Sequence, residues 1–178
     1  MGKKTIRFGL STSEIDRAIK ELADYKQEIV RKTELLQEKV AERLADEARS
    51  GFNGAIVDDL LLGGARTAQV DVHLDPQGNA TVVIAVGTDE KKMDAVWVEF
   101  GTGIYYNSSP GSSPHPHGVE LGMTIGGFGK GNGKKEVWGF YEEGELKLTR
   151  GTPARMPMAL AVTTVCNDIQ SIVKEVFG

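Results

Sequence analysis

The sequence feature that most constrains the fold is a long helical pattern over residues 11–50. Ser11 and Glu14 form an S-x-x-E pattern, the capping box that starts many helices. Apolar or small residues then recur at spacings of three, four or seven, which is one face of a 3.6-residue period. They are Ile15, Ile19, Leu22, Ile29, Thr33, Leu36, Val40, Leu44 and Ala48. Gly51, followed by Asn53-Gly54, predicts the end of this helix.

The length of this helix indicates a contact outside the chain. At about 1.5 Å per residue, residues 11–50 would form a rod of roughly 60 Å. A globule made by a chain of 178 residues is only roughly 30–35 Å across. Either the helix is broken, or part of its apolar face is covered by a partner. We therefore expect an oligomer, and an uninterrupted coiled coil is the alternative.

Composition and charge narrow the class of protein. Hydrophobic residues make up 40% of the chain and charged residues 26%, as in a soluble globular protein, so residues 1–178 are expected to form a single domain. No apolar run is long enough for a membrane span or a secretory signal. The net charge of −4 weighs against a dedicated nucleic-acid binder. The single cysteine, Cys166, excludes an internal disulfide.

Several short segments with apolar alternation predict β-strands, two pairs of them as hairpins. They are residues 69–74, 80–87, 95–100, 136–141 and 145–149. Residues 150–157 read as an extended linker, and Met158–Phe177 as an amphipathic helix. No parallel βαβ pattern is present, so we expect an α+β fold. It would have the long N-terminal helix, one antiparallel sheet of about four to five strands and the C-terminal helix.

Glycine is concentrated in the middle of the chain. Ten of the 22 glycines and three of the six prolines fall within residues 101–135. The Gly-rich run 126–135 does not match a phosphate-binding P-loop, because neither Lys130 nor Lys134 is followed by Ser or Thr. We therefore predict that residues 104–135 form a flexible arm, inserted in the sheet and ordered on a partner.

The sequence contains no recognisable catalytic constellation. His115 and His117 could offer two imidazoles to a metal, but an exposed pair in a loop is favoured. Cys166 lies in the C-terminal helix, where it is expected to be a small buried apolar group. Acidic residues at 142, 143 and 145 are expected to be solvated on a hairpin turn. We expect no enzyme activity, no cofactor and no metal.

Two short motifs resemble a known family. They are V-W-V-E-F-G-T-G (96–103) and T-R-G-T-P-A-R-M-P-M-A-L-A (149–161), with a long helix before them and an amphipathic helix after. This arrangement is similar to that of the neck, or tail-completion, proteins of long-tailed bacteriophages, which join head and tail. The resemblance implies a structural virion protein that forms a homo-oligomeric ring, hexameric or dodecameric, around the DNA channel. Implied partners are the connector or head-completion protein and the tail terminator or tail tube protein. The implied location is the virion neck, reached from the host cytoplasm during assembly.

The motifs and the arm supply the candidate contact residues. For assembly these are Trp97, Glu99, Gly101, Gly103 and Arg155, and for the arm they are His115, His117, Lys130, Lys134 and Lys135. The two glycines of the first motif allow a sharp turn or a close backbone approach. Arg155 can pair with Glu99 or with an acidic residue of a neighbour. The tryptophans Trp97 and Trp138 are expected in the sheet core, or at a subunit interface, where tryptophan is enriched.

Three alternatives stay open at this point. The chain could be a tail terminator or another tail-tube-like ring subunit, since these share the α+β build. More remotely, it could bind nucleic acid without sequence preference through the three arm lysines, with a steep salt dependence. A metal-dependent enzyme centred on the histidine pair is the third.

Overall fold

Two long helices and a β-hairpin enclose the apolar core of this α+β protein, as seen in a computed structural model. The structure describes residues 6–57, 66–103, 115–117, 137–149, 151–152 and 154–178. In chain order the elements are α1 (Thr12–Phe52), β1 (Ile56–Val57), β2 (Arg66–Thr67), β3 (Val70–Gln77), β4 (Ala80–Gly87), α2 (Asp94–Phe100), β5 (Thr102–Gly103), β6 (Trp138–Glu142), β7 (Glu145–Thr149), β8 (Gly151–Thr152) and α3 (Pro157–Phe177). Apart from residues 115–117, the predicted arm 104–135 lies outside the described residues, and so do its three lysines.

Helix α1 confirms the long N-terminal helix, with 41 residues and a length of roughly 60 Å. Its predicted start is confirmed at Ser11, but the predicted capping box is only partly formed. The Ser11 hydroxyl donates to the Glu14 carboxylate rather than accepting a backbone N–H. The predicted stop at Gly51 is wrong by two residues. Gly51 lies inside the helix, where a Cβ would come within 2.6 Å of the Pro157 Cβ, so glycine lets the two helices approach closely.

Helix α3 packs antiparallel against the C-terminal half of α1. Asp168 pairs with Arg43 at 3.7 Å, and Lys32 of α1 lies 5.8 Å from the ring of Phe177, the last residue of α3. Ion pairs this exposed contribute only about 0–1 kcal/mol each. The contact depends instead on small and apolar residues, with Ala45 and Ala48 of α1 completely buried. Because α3 ends at Phe177, beside Lys32, the first twenty or so residues of α1 extend past the end of α3.

The β3–β4 hairpin confirms both predicted strands and lengthens the first. The register runs from Val70↔Gly87 to Gln77↔Ala80, so residues 75–77, expected in the turn, continue the strand. The turn contains only Gly78 and Asn79, and Gly78 adopts φ = 60°. Val72 of β3 is buried, and side chains of both strands pack on the core formed with α1.

Two predictions about the sheet are wrong. Residues 95–100 form helix α2 rather than a strand, because tertiary contacts override a short alternating pattern that fits both states. Ala95, Val98 and Glu99, at helical spacing, are its buried residues together with Asp94. The strands of the described residues also form four separate two-stranded antiparallel sheets instead of one sheet. In one of these, the predicted linker 150–157 contributes β8, which pairs with β5.

Candidate functional site

A buried carboxylate joins the two sequence motifs. Glu99, near the end of α2, is only 5% exposed. Its Oε2 accepts a hydrogen bond from the Met158 N–H at 2.8 Å, and its Oε1 accepts one from the Ala159 N–H at 3.0 Å. These are the second and third residues of α3, whose backbone donors have no partner inside the helix. Glu99 therefore caps α3 from 59 positions away, where its negative charge also suits the helix dipole.

The local sequence explains why α3 takes its cap from elsewhere. The residue before the helix is Met156, whose side chain offers no oxygen for an N-terminal cap, and Pro157 follows at the first helical position. Met156 also adopts a left-handed conformation, with φ = 55° and ψ = 43°. Such a conformation costs about 1–2 kcal/mol for a residue with a Cβ. Contacts with α2 hold this turn in place.

His115 completes the environment of Glu99. Its Nε2 lies 2.9 Å from Glu99 Oε1, and its Nδ1 accepts a hydrogen bond from the His117 N–H at 3.0 Å. Because a backbone N–H can only donate, Nδ1 carries no proton, and the Nε2–H donates to the carboxylate. His115 is 8% exposed, and its ring packs against that of Phe100 with the centroids 4.4 Å apart and the planes tilted by 47°. The expectation of two exposed histidines is therefore wrong for His115, while His117 is exposed.

The glycine of the first motif brings the two motifs into backbone contact. Gly101 has φ = 75°, and a Cβ there would lie 2.7 Å from Ala154 N and 2.8 Å from Thr152 O. Next to it, Gly103 pairs with Gly151 across β5 and β8. The Arg155 N–H donates to Val98 O at 2.8 Å. We call this assembly of Glu99, Gly101, His115, the β5–β8 pair and the start of α3 the Glu99 joint.

The structure places the other predicted contact residues around this joint. The Arg155 side chain is exposed and forms no described ion pair with Glu99, whose oxygens contact α3 and His115; its pairing with an acidic residue of a neighbour stays a prediction. Trp97 is half-buried against the core, in a helix rather than a sheet. Nothing is described of the Trp138 side chain. The assembly roles of these residues and of Glu99, Gly101 and Gly103 stay predictions.

Sequence reasoning missed a second buried carboxylate. Asp94, at the start of α2, is fully buried, and its two oxygens each lie 2.6 Å from a guanidinium nitrogen of Arg66. It also accepts the Gln69 N–H at 2.9 Å. The partners are 25 and 28 residues away, so no local spacing reveals them. These contacts tie the start of α2 to residues 66–69, and the sequence signal for them is an acidic residue ahead of A-V-W-V-E-F.

A mainly apolar cavity of about 570 Å³ borders the Glu99 joint. Its walls include Ile84 and Ala85 of β4, Phe100 of α2, Val162 of α3 and the His115 imidazole. The Glu99 carboxylate also borders it, but its oxygens already accept hydrogen bonds from the protein. Among the described residues, no group of three His, Cys, Asp or Glu side chains is placed to hold a metal ion. The polar residues of its lining are Glu99, His115, His117 and Thr163.

Two apolar faces of the long helices are exposed. The α1 stripe comprises Ile15, Ile19, Leu22 and Val30, which are 38–59% exposed, and it lies beyond the end of α3. The α3 stripe comprises Val162, Cys166, Ile169 and Val173, which border the buried face of α3 that contains Ala161 and Val165. Its apolar members are 37–46% exposed, and Cys166, expected to be buried, is exposed as well. Clusters of exposed apolar side chains typically mark an interaction site.

Comparison of the chain with protein-family models, with curated proteins and with solved structures gave no match. Within the part of the chain that the structure describes, no helix is both long enough and apolar enough to span a membrane.

Proposed function

We propose that this chain is a structural subunit of the neck of a long-tailed bacteriophage, where it forms a homo-oligomeric ring that joins the head connector to the tail. The neck assignment follows from the resemblance of the two motifs to the tail-completion family. The observation that carries the proposal of a ring is the α1 stripe. It leaves four large apolar side chains of a 41-residue helix about half exposed in the single chain.

The Glu99 joint supports a structural role for the motifs. Three contacts hold together two segments that are far apart in sequence, residues 98–103 and 151–159. They are the cap that Glu99 provides for α3, the β5–β8 pair and the close backbone approach at Gly101. Every polar contact described for Glu99 holds protein to protein. The motifs thereby fix the position of α3 relative to α2, and so fix the orientation of the α3 stripe.

Particle assembly tests this function. A phage genome with a stop codon in this reading frame should give DNA-filled heads and separate tails, seen by electron microscopy, and few infectious particles. The unchanged chain supplied in trans should restore joined virions, while the Leu22→Asp chain should not. Joined, infectious virions in the absence of the chain would contradict the proposal. Joined heads with tails of uncontrolled length would instead identify the chain as a tail terminator.

A further inference from the structure

The α1 stripe and the α3 stripe are similar enough in length to pack against each other. From Ile15 to Val30 the α1 stripe is roughly 22 Å long, and from Val162 to Val173 the α3 stripe is roughly 16 Å long, at 1.5 Å per residue. Both stripes repeat at intervals of three and four residues, apart from a gap of eight residues between Leu22 and Val30, and this spacing lets the ridges of one helix fit the grooves of another. Each copy of the chain therefore offers one α1 stripe and one α3 stripe.

The two stripes cannot meet within one chain. Asp168 is not part of the α3 stripe but lies about midway along its length, and it pairs with Arg43 of α1. Arg43 lies 21 residues beyond Leu22, which is roughly 30 Å along a continuous helix. Any contact between the stripes therefore joins two copies of the chain.

Charge disfavours one alternative, a parallel pairing of two α1 stripes. Lys26 lies in the α1 stripe, four residues from both Leu22 and Val30. In a parallel pairing of two α1 helices, Lys26 would face the same ammonium group of the other copy. The α3 stripe contains no charged side chain, so Lys26 meets no like charge there. Pairing α1 with α1 would also leave the α3 stripe exposed.

We infer that the N-terminal half of α1 in one copy packs its stripe on the α3 stripe of the next copy. This inference rests on the proposed function, because it names the surfaces that build the ring. The contact joins two different faces, so every copy has one donor surface and one acceptor surface, and repetition closes a ring or extends a filament. The same contact covers both exposed stripes.

Cross-linking through the native cysteine tests this contact. In the full chain carrying Leu22→Cys, a short bis-maleimide should link residue 22 of one copy to Cys166 of the next. Because every copy offers both positions, a denaturing gel should show a ladder of dimers, trimers and larger species up to the ring size. The matched control is Asp24→Cys, which is exposed on the opposite side of α1 and should give no ladder.

Other results of the cross-linking experiment would show whether the interface or the proposed function is wrong. A Leu22→Cys chain that also carries Cys166→Ser should stay uncross-linked, and a strong dimer band from it would overturn the inference in favour of α1–α1 pairing. A solution oligomer without the ladder would overturn this interface while leaving the ring proposal intact. A clear ladder combined with normal virions from a genome lacking the chain would retain the interface and remove the neck function.

Discussion

Replacement of Glu99 by glutamine should destabilise the protein by about 3 kcal/mol. The carboxylate accepts two backbone N–H groups of α3 and the His115 Nε2–H. A glutamine retains one oxygen, so at least one of the three bonds is lost, and its NH₂ group faces a buried donor. Loss of one charge-assisted bond costs about 1.5–3 kcal/mol. Loss of the negative charge at the helix N-terminus adds about 0.3–1 kcal/mol.

Urea unfolding measures this effect. With a slope of about 2 kcal/mol/M, which is usual for small proteins, the midpoint should fall by about 1.5 M. The matched control is Glu38→Gln, an exposed carboxylate on α1, which should leave the midpoint within about 0.25 M, since surface substitutions usually fall within about ±0.5 kcal/mol. All measurements are made at one low protein concentration, so that self-association contributes equally. A Glu99→Gln midpoint indistinguishable from that of Glu38→Gln would refute the capping role of Glu99.

Two further perturbations test particular contacts. Gly101→Ala should lower the free energy of unfolding, measured in urea, by about 3 kcal/mol or more, because a Cβ there meets backbone atoms of residues 152 and 154. The control Gly54→Ala, with a similar φ of 71° and open space around it, should lower it by only about 1–2 kcal/mol. Equal losses in the two variants would contradict the close approach at Gly101. The Ser11 hydroxyl bond is the largest cause that lowers the pKa of Glu14, so the associated stabilisation is present above the ordinary glutamate pKa and is lost as the pH falls through the lowered value. Ser11→Ala should raise the pKa of Glu14 in an NMR titration, and an unchanged titration midpoint would show that the hydroxyl bond is unimportant.

Local periodicity predicted the long elements well. Helices α1 and α3 have regular apolar spacing over several turns, and the β3–β4 hairpin has apolar alternation in β3 and a β-branched run in β4, so the sequence locates each of them to within a few residues. Helix α2 was missed because the six letters A-V-W-V-E-F fit both an alternating strand and a short helix. In the structure the start of this helix is held by Asp94, which contacts Arg66 and Gln69, and those contacts span 25 residues or more.

The Glu99 joint also depends on contacts between residues that are remote in sequence. The two motifs were identified from sequence as belonging together, and Gly101 as a place for a turn or a close approach. The capping bonds from Glu99 to α3 cross 59 and 60 residues, and a pairing that remote has no spacing signal. His115 was placed in an exposed loop because its neighbours are serine, proline and glycine. Its burial follows from contacts with Glu99 and Phe100 that composition does not encode.

If another copy of the chain covers the exposed half of α1, the protein in solution is an oligomer, and its mass shows this. Multi-angle light scattering should give a single species that is a whole multiple of 19.2 kDa and larger than a dimer. Leu22→Asp and Ile169→Asp should each reduce it to 19.2 kDa species, because each places a charge in one of the two stripes. A folded 19.2 kDa species that persists as the concentration of the unchanged chain is raised would contradict the claim.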